Sequence, residues 1–598
     1  MKGKTRKDSP KGARTVEAKT ARAAEAKTVP PAPSPARWPY WVAAAGAVLL
    51  AFWVYQPAMH GAFLFDDAAL PFAMPSASAP FMDWIRFSAA RPVLYATYWL
   101  NSRWSGDDPF SFHVLNVIFH LMATGLIFFI VRRFVEWTWP GSSAARRNLL
   151  AGFSGAVFLL HPIQTEAVAY LAGRSDSLSV MLLLAAFAAF LYRPKREISW
   201  PMALVVLGLF GAALLSKQHT IALPGLLLLT DYWWNPGFSL KGIRGNWKLY
   251  ATMAAGAAAA LAKYWEILRY SPSAGFGFKA FTPWQYFYTE CRALFVYIVQ
   301  FVLPIHLDAD WDFPISRTIF DRGAIIGLGA LLTLIVLAWR YRKRFPLATY
   351  GFLVFLGLMA PTSSFLPIAD VIADRRLYLS MIGLLLMVVE VLGRLRIEPR
   401  KLAAAGGVVL IAAMWATHAH AAVWNDPIAL WQDTAKKSPN KRRVHFQLAS
   451  AYYDAGACNL ALPEYQRTAE LEPPNYDLLV DWALAYDQCN QLDQAVAKLR
   501  QAAFQDATAH VYSQIAMIYA KRSRWAEAME ALDMAQKIDP NFAMTYYYRG
   551  GVHLAQNQLV EAIANYRRAV ALDGNFKPAL EGLATAEARF RALQTGSR

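Results

Sequence analysis

A chain of 598 residues with 56% hydrophobic and only 17% charged residues exceeds one ordinary soluble domain in both length and apolar content. Its formal charge of +18 would suggest nucleic acid in a soluble protein. Here the excess sits in the N-terminal tail and in short loops between apolar runs, where it sets membrane orientation, and no nucleic-acid partner is expected.

Residues 1–37 are rich in Lys, Ala, Pro and Thr without an apolar face, which predicts a disordered basic tail in the cytoplasm. The apolar run from Trp38 to about Tyr55 is too long for a signal-peptide core and lacks a small-residue cleavage site, so it reads as a retained first span. Further spans are expected at about 111–131, 149–164, 177–192, 201–216, 219–234, 249–265, 322–340, 346–361, 377–394 and 403–421, each near the roughly 20 residues that cross a hydrocarbon core. Basic clusters such as Arg132-Arg133, Arg193 to Arg196, Arg340 to Arg344 and Arg394 to Lys401 then all fall on one side, the cytoplasm. Residues 286–305 are apolar enough to span, but counting them inverts every later basic loop; they are expected to be re-entrant or interfacial. Residues 38–424 thus predict a membrane domain of about eleven spans, with the remainder of the chain outside the cytoplasm.

From about Asn425 the composition becomes that of a soluble helical protein. Ala461, Ala495, Ala528 and Ala562 recur at spacings of 34, 33 and 34, and Tyr452, Tyr486, Tyr519 and His553 precede them by nine residues each. Small residues Ala449, Ala483, Ala516 and Gly550 stand where two helices of a repeat approach closely. This is the tetratricopeptide (TPR) period: residues 425–598 are predicted to hold four helix pairs and a C-terminal helix, an α-solenoid with a groove for an extended protein or peptide. The fold class is all-α. The three cysteines, Cys291, Cys458 and Cys489, show no zinc-ligand spacing. Cys458 and Cys489 fall in neighbouring repeats and are expected as buried free thiols, pairing being open to them in an oxidising compartment.

Polar residues at the span ends gather on the extracytoplasmic side, where ionisable groups at a membrane boundary are functional candidates by default. They are Asp66, Asp67 and Arg91; His161, Glu166, Arg174 and Asp176; Lys217 and His219; Asp308, Asp310 and Asp312; and Asp370, Asp374, Arg375 and Arg376. Each has a plainer reading: hydrated loop starts, snorkelling anchors for Lys217 and Arg375, a span terminator for His161-Pro162. Asp308, Asp310 and Asp312 alternate like calcium or magnesium ligands but lack the glycine and distal glutamate of an EF-hand. No metal site is assigned and no cofactor is required, though the carboxylates allow a divalent metal.

The strings FLFDDAAL (63–70), RPVLYATYWLN (91–101), PFSFHVLNVIFH (109–120), HPIQTEAVAYLAGRSDSLS (161–179), LLSKQHTIAL (214–223) and FLPIADVIADRRLYLSMIG (365–383) come in order. Together they resemble the transmembrane and TPR-containing O-mannosyltransferases, over roughly residues 40–425 and in the appended repeats. The resemblance implies the C-type glycosyltransferase membrane fold, a polyprenyl-phosphate sugar donor and transfer of mannose or another hexose to Ser/Thr hydroxyls of proteins on the extracytoplasmic face. It also implies that Asp66 or Asp67 is the catalytic base, that Arg91, Lys217, Arg375 and Arg376 bind the donor phosphate, and that His161, Glu166, Arg174, Asp176 and His219 bind substrate. The chain departs from the family pattern at Gln218, where a Glu is usual, at Gln164, where a His is usual, and at Asp374, in an Ala-Glu-Arg-like string; these changes bear on the sugar more than on the reaction class. The alternatives are a membrane-anchored TPR scaffold without catalysis, and a C-type enzyme modifying a lipid or polysaccharide. A bacterial homologue is expected, placing the chain in the inner membrane with a periplasmic catalytic face.

Overall fold

The computed structural model describes residues 1, 3, 38–69, 79–87, 90–106, 108–271 and 273–596. Apart from Met1 and Gly3, the tail over 1–37 lies outside the described residues. The chain divides into two units, Met1–Leu49 and Leu50–Arg598. The first holds the opening turns of α1 (Trp38–Tyr55), whose Trp41, Val42 and Leu49 are exposed, as suits a helix surrounded by hydrocarbon.

The second unit continues with the helices α2 (Pro92–Ser105), α3 (Pro109–Thr138), α4 (Ala144–Leu160), α5 (Arg174–Leu191), α6 (Trp200–Leu214), α7 (Leu223–Trp234), α8 (Trp247–Tyr270), α9 (Pro283–Val302), α10 (Ala324–Tyr341), α11 (Pro346–Met359), α12 (Leu377–Arg394) and α13 (Pro399–Val423). No strand forms among the described residues. Among the described residues, six helical segments are long and apolar enough to cross a membrane: Trp38–Ala58, Pro109–Thr138, Arg174–Leu191, Asp321–Tyr341, Asp374–Arg394 and Arg400–Val423. The protein is therefore a multi-pass membrane protein. Other expected spans form shorter apolar helices, such as α6 and α11, because 3₁₀ turns and prolines cut them near the polar ends.

Two polar layers bound the bundle. In one, the Asp231 carboxylate accepts from Arg193 Nη2 at 2.7 Å, Asn246 Nδ2 at 2.6 Å and the Tyr250 hydroxyl at 2.7 Å. Glu390 there caps α11 by accepting from Leu347 N at 2.8 Å, and Arg146 Nη2 donates to Gly393 O at 2.7 Å. The helices α4, α5 and α12 each have their other end in a second layer, where the candidate site residues collect. The helix α9 lies along that second layer. A capping box at Thr282 and Gln285 starts it. Tyr286 near its start donates to Thr362 O, and Gln300 near its end donates to Asp374 Oδ1 at 3.2 Å. Both ends thus touch the same 362–374 segment, in the second layer.

After α14 (Pro427–Lys437) come four antiparallel pairs, α15 (Arg442–Asp454) with α16 (Cys458–Leu471), α17 (Tyr476–Gln488) with α18 (Leu492–Gln505), α19 (Ala509–Lys521) with α20 (Trp525–Ile538), and α21 (Ala543–Ala555) with α22 (Leu559–Leu572). The helix α23 (Lys577–Gly596) closes the stack. Ala449, Ala483 and Ala516 are fully buried where the helices of a pair meet. At Gly550 an added Cβ would lie 2.9 Å from the Tyr566 ring, so a side chain in this fourth repeat would have to displace that ring. Leu479, Leu499, Val511 and Leu532 fill the space between pairs as one continuous core, the packing expected of a TPR solenoid.

The cysteine expectation needs correction. Cys458 at the start of α16 and Cys489 at the end of α17 form a disulfide with Cα atoms 5.6 Å apart, leaving Cys291 as the buried free thiol. Stacking brings the two together across a repeat boundary, a proximity that the 31-residue separation in sequence conceals. Disulfides persist in oxidising compartments. Thiol titration of the denatured, unreduced protein should therefore find one reactive cysteine, and three after reduction; three without reductant would refute the pairing.

Candidate functional site

The second layer is built from the turns where helices end. His161 caps α4, and its Nδ1 then accepts from Ile163 N at 3.2 Å to start a 3₁₀ turn, while its Nε2 meets Phe301 O at 3.0 Å. All its polar contacts are to backbone, so the histidine expected to bind substrate is committed to ending a helix. The short helix Thr165–Ala169 follows and carries Glu166. At Gly173 a Cβ would lie 2.6 Å from Glu166 O and 2.8 Å from Tyr170 O. Glycine alone permits this tight return, which delivers Arg174 and Asp176 on the first turn of α5.

Arg174 is fully buried. Its Nε donates to Asn116 Oδ1 at 2.9 Å and its Nη2 to Asn101 Oδ1 at 2.8 Å and Phe112 O at 2.9 Å, and its guanidinium lies 4.5 Å from the Tyr98 ring centroid. It therefore ties α2, α3 and α5 together and has no face left for a substrate. Arg376 is similarly engaged: it donates to Val371 O at 2.7 Å, the Tyr286 hydroxyl at 3.1 Å and Glu290 at 3.4 Å, and to Asp370 O. The expectation that it binds phosphate does not match these partners.

The other cations converge. Lys217 Nζ pairs with Asp176 Oδ2 at 2.6 Å. Burial lowers the Lys217 pKa to about 8; Asp176 works against that fall, while Arg375 and Arg91 add to it. Arg91 Nε donates to Gln218 Oε1 at 3.4 Å, and no carboxylate pairs with it among the described residues. Neighbouring His219 has a buried Nδ1 without a hydrogen-bond partner among the described residues. Arg375 pairs with Glu166, whose Oε2 also accepts Arg375 N at 2.7 Å, and with Asp370 at 3.4 Å. Burial leaves Glu166 titrating above its ordinary value despite Arg375. Three cations, Arg91, Lys217 and Arg375, thus share one cluster with Asp176 and Glu166.

The paired aspartates differ. Asp67 is 1% exposed, and its carboxylate accepts Ala172 N at 2.6 Å and Leu64 N at 3.1 Å. Burial pushes its pKa up to about 8 against those donors. Asp66 is exposed and uses its backbone N–H, at 3.0 Å from the Tyr170 hydroxyl, to hold its place. Tyr170 in turn lies within electrostatic reach of Asp66, Asp67 and Arg375.

The Asp308–Asp312 run serves a different purpose from the metal-ligand one considered. Asp308 Oδ2 accepts from the Ser438 hydroxyl at 2.6 Å, and Asp310 takes Arg443 in two hydrogen bonds at 2.6 and 2.7 Å. No group of three or more metal-ligating side chains occurs among the described residues. Arg443 is therefore a site-side residue that sequence reasoning did not name, and Asp370, named among the polar candidates, had been given no role. A signal was present for Arg443. Lys441, Arg442 and Arg443 crowd the positive end of a helix dipole, where cations are disfavoured unless carboxylates outside the helix meet them.

The fold and site define a polytopic helical membrane protein whose TPR solenoid docks on a charged, partly buried layer. Among known proteins, the chain is 24% identical over 543 residues to Protein O-mannosyl-transferase TMTC3 of Mus musculus, covering 81% of this chain and 57% of that one. It is 26% identical over 437 residues to Protein O-mannosyl-transferase TMTC1 of Homo sapiens (64% and 48%), and 22% identical over 393 residues to Protein O-mannosyl-transferase F38B6.6 of Caenorhabditis elegans (64% and 54%). The resemblance read from the motifs thus stands, and the chain spans about half the length of these relatives. No family model matches it. Similar solved structures include the crystal structure of MamA (20% identity, TM-score 0.23, 25% of this chain and 86% of that one) and the TPR protein TTC0263 of Thermus thermophilus (20%, 0.25, 30% and 95%).

Arg174→Lys should lower the melting temperature, by a stability loss of about 3 kcal/mol, because an ammonium cannot reach three acceptors held in the guanidinium plane. An unchanged melt in detergent would show that the buried fork is dispensable.

Proposed function

We propose that this chain is a membrane glycosyltransferase that moves a hexose, mannose by analogy with its relatives, from a polyprenyl-phosphate donor to Ser/Thr hydroxyls of proteins. The observation that carries this reading is the gathering of Arg91, Lys217 and Arg375 in one cluster, with an exposed Asp66 joined to it through Tyr170, which Asp66 and Arg375 both face, at the solenoid-bearing end of the bundle. A phosphate leaving group needs such cations, because charge develops on its oxygens as the bond to the anomeric carbon breaks. An attacking hydroxyl needs a carboxylate to take its proton as the new bond to that carbon forms.

Between the two aspartates, exposure favours Asp66 as the base, since both Asp67 oxygens already accept backbone N–H groups. Asp67 then holds the loop. Asp176 orients Lys217, and Glu166 orients Arg375. His219, beside Arg91 and Lys217, is placed against substrate, while His161, Arg174 and Arg376 support the fold. The relatives' names supply the protein acceptor, and the TPR groove is the place to hold it.

We further propose the arrangement of a basic tail over 1–37, a membrane domain over 38–424 with eleven spans and the C-type fold, and an extracytoplasmic solenoid over 425–598. Three observations support this orientation: the disulfide suits an oxidising compartment, α9 keeps both ends in one layer, and the basic loops lie in the other. In a bacterium this is the inner membrane, with the site periplasmic.

Asp66→Asn should reduce sugar transfer from a polyprenyl-phosphate mannose to a peptide by about 10²- to 10⁴-fold without changing the melting temperature. Asp67→Asn should instead destabilise, by about 1–3 kcal/mol, since its amide presents a donor to one of the two N–H groups. Full transfer by Asp66→Asn removes the proposed base. Donor affinity should also fall as pH rises through about 8, because Lys217 loses its proton there; an affinity flat from pH 7 to 9 would take Lys217 out of the phosphate site.

A further inference from the structure

Arg443 links the solenoid to the cation cluster. Arg443, on the first turn of α15, donates from Nε and Nη2 to the two oxygens of Asp310, at 2.6 and 2.7 Å. The same Nη2 donates to Asp370 Oδ1 at 2.6 Å. The other Asp370 oxygen, Oδ2, faces Arg375 Nη2 at 3.4 Å. Asp370 is therefore divided between an arginine of the solenoid and an arginine of the membrane cluster. Arg375 already has a carboxylate in Glu166. Without Arg443, Asp370 would be left to Arg375, already paired with Glu166, and to the more distant charge of Arg376.

Arg443 also touches the other half of the site. Its guanidinium lies 5.5 Å from the ring centroid of Phe65, which packs edge-on against Trp431 of α14 at 5.5 Å. Phe65 immediately precedes Asp66, and its φ of 49° is in the left-handed region, where a bulky side chain is held only by its surroundings. Those surroundings include the lead-in and first repeat of the solenoid.

We propose that Arg443 is a positioning residue: by holding one oxygen of Asp370 at 2.6 Å it weakens that carboxylate's hold on Arg375, which stays at 3.4 Å and can turn to an anion, so the phosphate-binding cluster is complete only when the first repeat is seated. This rests on the transferase reading and adds to it a coupling between acceptor-side and donor-side elements. Movement of the first repeat changes the cluster's charge balance, and through Phe65 it changes the setting of Asp66.

The test is binding of farnesyl phosphate to the full-length protein in nanodiscs, compared among variants. Arg443→Ala should weaken binding at least about tenfold, within the range known for coupled charge pairs. The double variant Arg443→Ala with Asp370→Asn should recover it, because the carboxylate freed to capture Arg375 is gone. A merely structural role for Arg443 would not be rescued in this way, so failure of the double variant to recover overturns the proposal. Equal binding by wild type and Arg443→Ala overturns the coupling and leaves the transferase reading intact, whereas no binding by wild type overturns both. If Arg443→Ala does not fold, Asp370→Asn alone decides: it should bind at least as tightly as wild type, and weaker binding refutes the proposal.

Discussion

Glu166 and Arg375 lie 209 residues apart in sequence, and their ion pair joins the turn before α5 to the turn before α12. Both groups sit where a membrane bundle meets water, a place where an isolated charge is costly and a paired one is tolerated. The pair therefore has a structural consequence beyond its own energy. It holds the ends of α4, α5 and α12 at one level and leaves a common surface on which Lys217, Arg91 and Asp370 can meet. The opposite end of the bundle obeys the same constraint with Asp231 and Glu390, whose carboxylates are consumed by helix termini and loop side chains. One end is closed by its hydrogen bonds. The other keeps an arginine that no carboxylate neutralises among the described residues, and an aspartate facing solvent.

That contrast gives the second layer its chemical character. Its aspartates divide by burial: Asp67 and Asp310 anchor backbone or solenoid, whereas Asp66 is exposed. Its arginines divide by the same rule, Arg174 and Arg376 being spent on carbonyls, side chains and rings. A charge at a membrane boundary is thus a sound pointer to this layer but a poor guide to a role within it.

Much of the fold was legible because its signals are periodic. The alanine and tyrosine registers located the helix pairs of the solenoid, since they record which face is buried, and the apolar runs located apolar helices, six of which among the described residues are long enough to cross a membrane. What escaped was long-range pairing. The gathering of Lys217, Asp176, Glu166 and Arg375 follows from helix ends lying in one layer, and the candidate residues could be named for that reason. Their partners could not: Arg443 meets Asp310 across 133 residues, and no local pattern encodes that contact. Gln218 illustrates the same limit. It reads as a departure from a family pattern, and only the structure shows that it faces Arg91 with a neutral acceptor. The cysteines were misjudged because adjacency in a solenoid depends on how one pair stacks on the next.

The disulfide also divides the solenoid mechanically. In a stack where each repeat contacts only its neighbours, deformation spreads through successive interfaces. The first two pairs are cross-linked by Cys458 and Cys489, and the first is fastened to the membrane domain through Arg443 and, just before it, through Ser438 in the lead-in. No comparable staple joins the third and fourth pairs to them among the described residues. The proximal half is thus the mounting and the distal half the compliant arm. A load applied at α23 would bend the outer interfaces first, and the stiff base would pass on to the charged layer whatever torque they did not absorb.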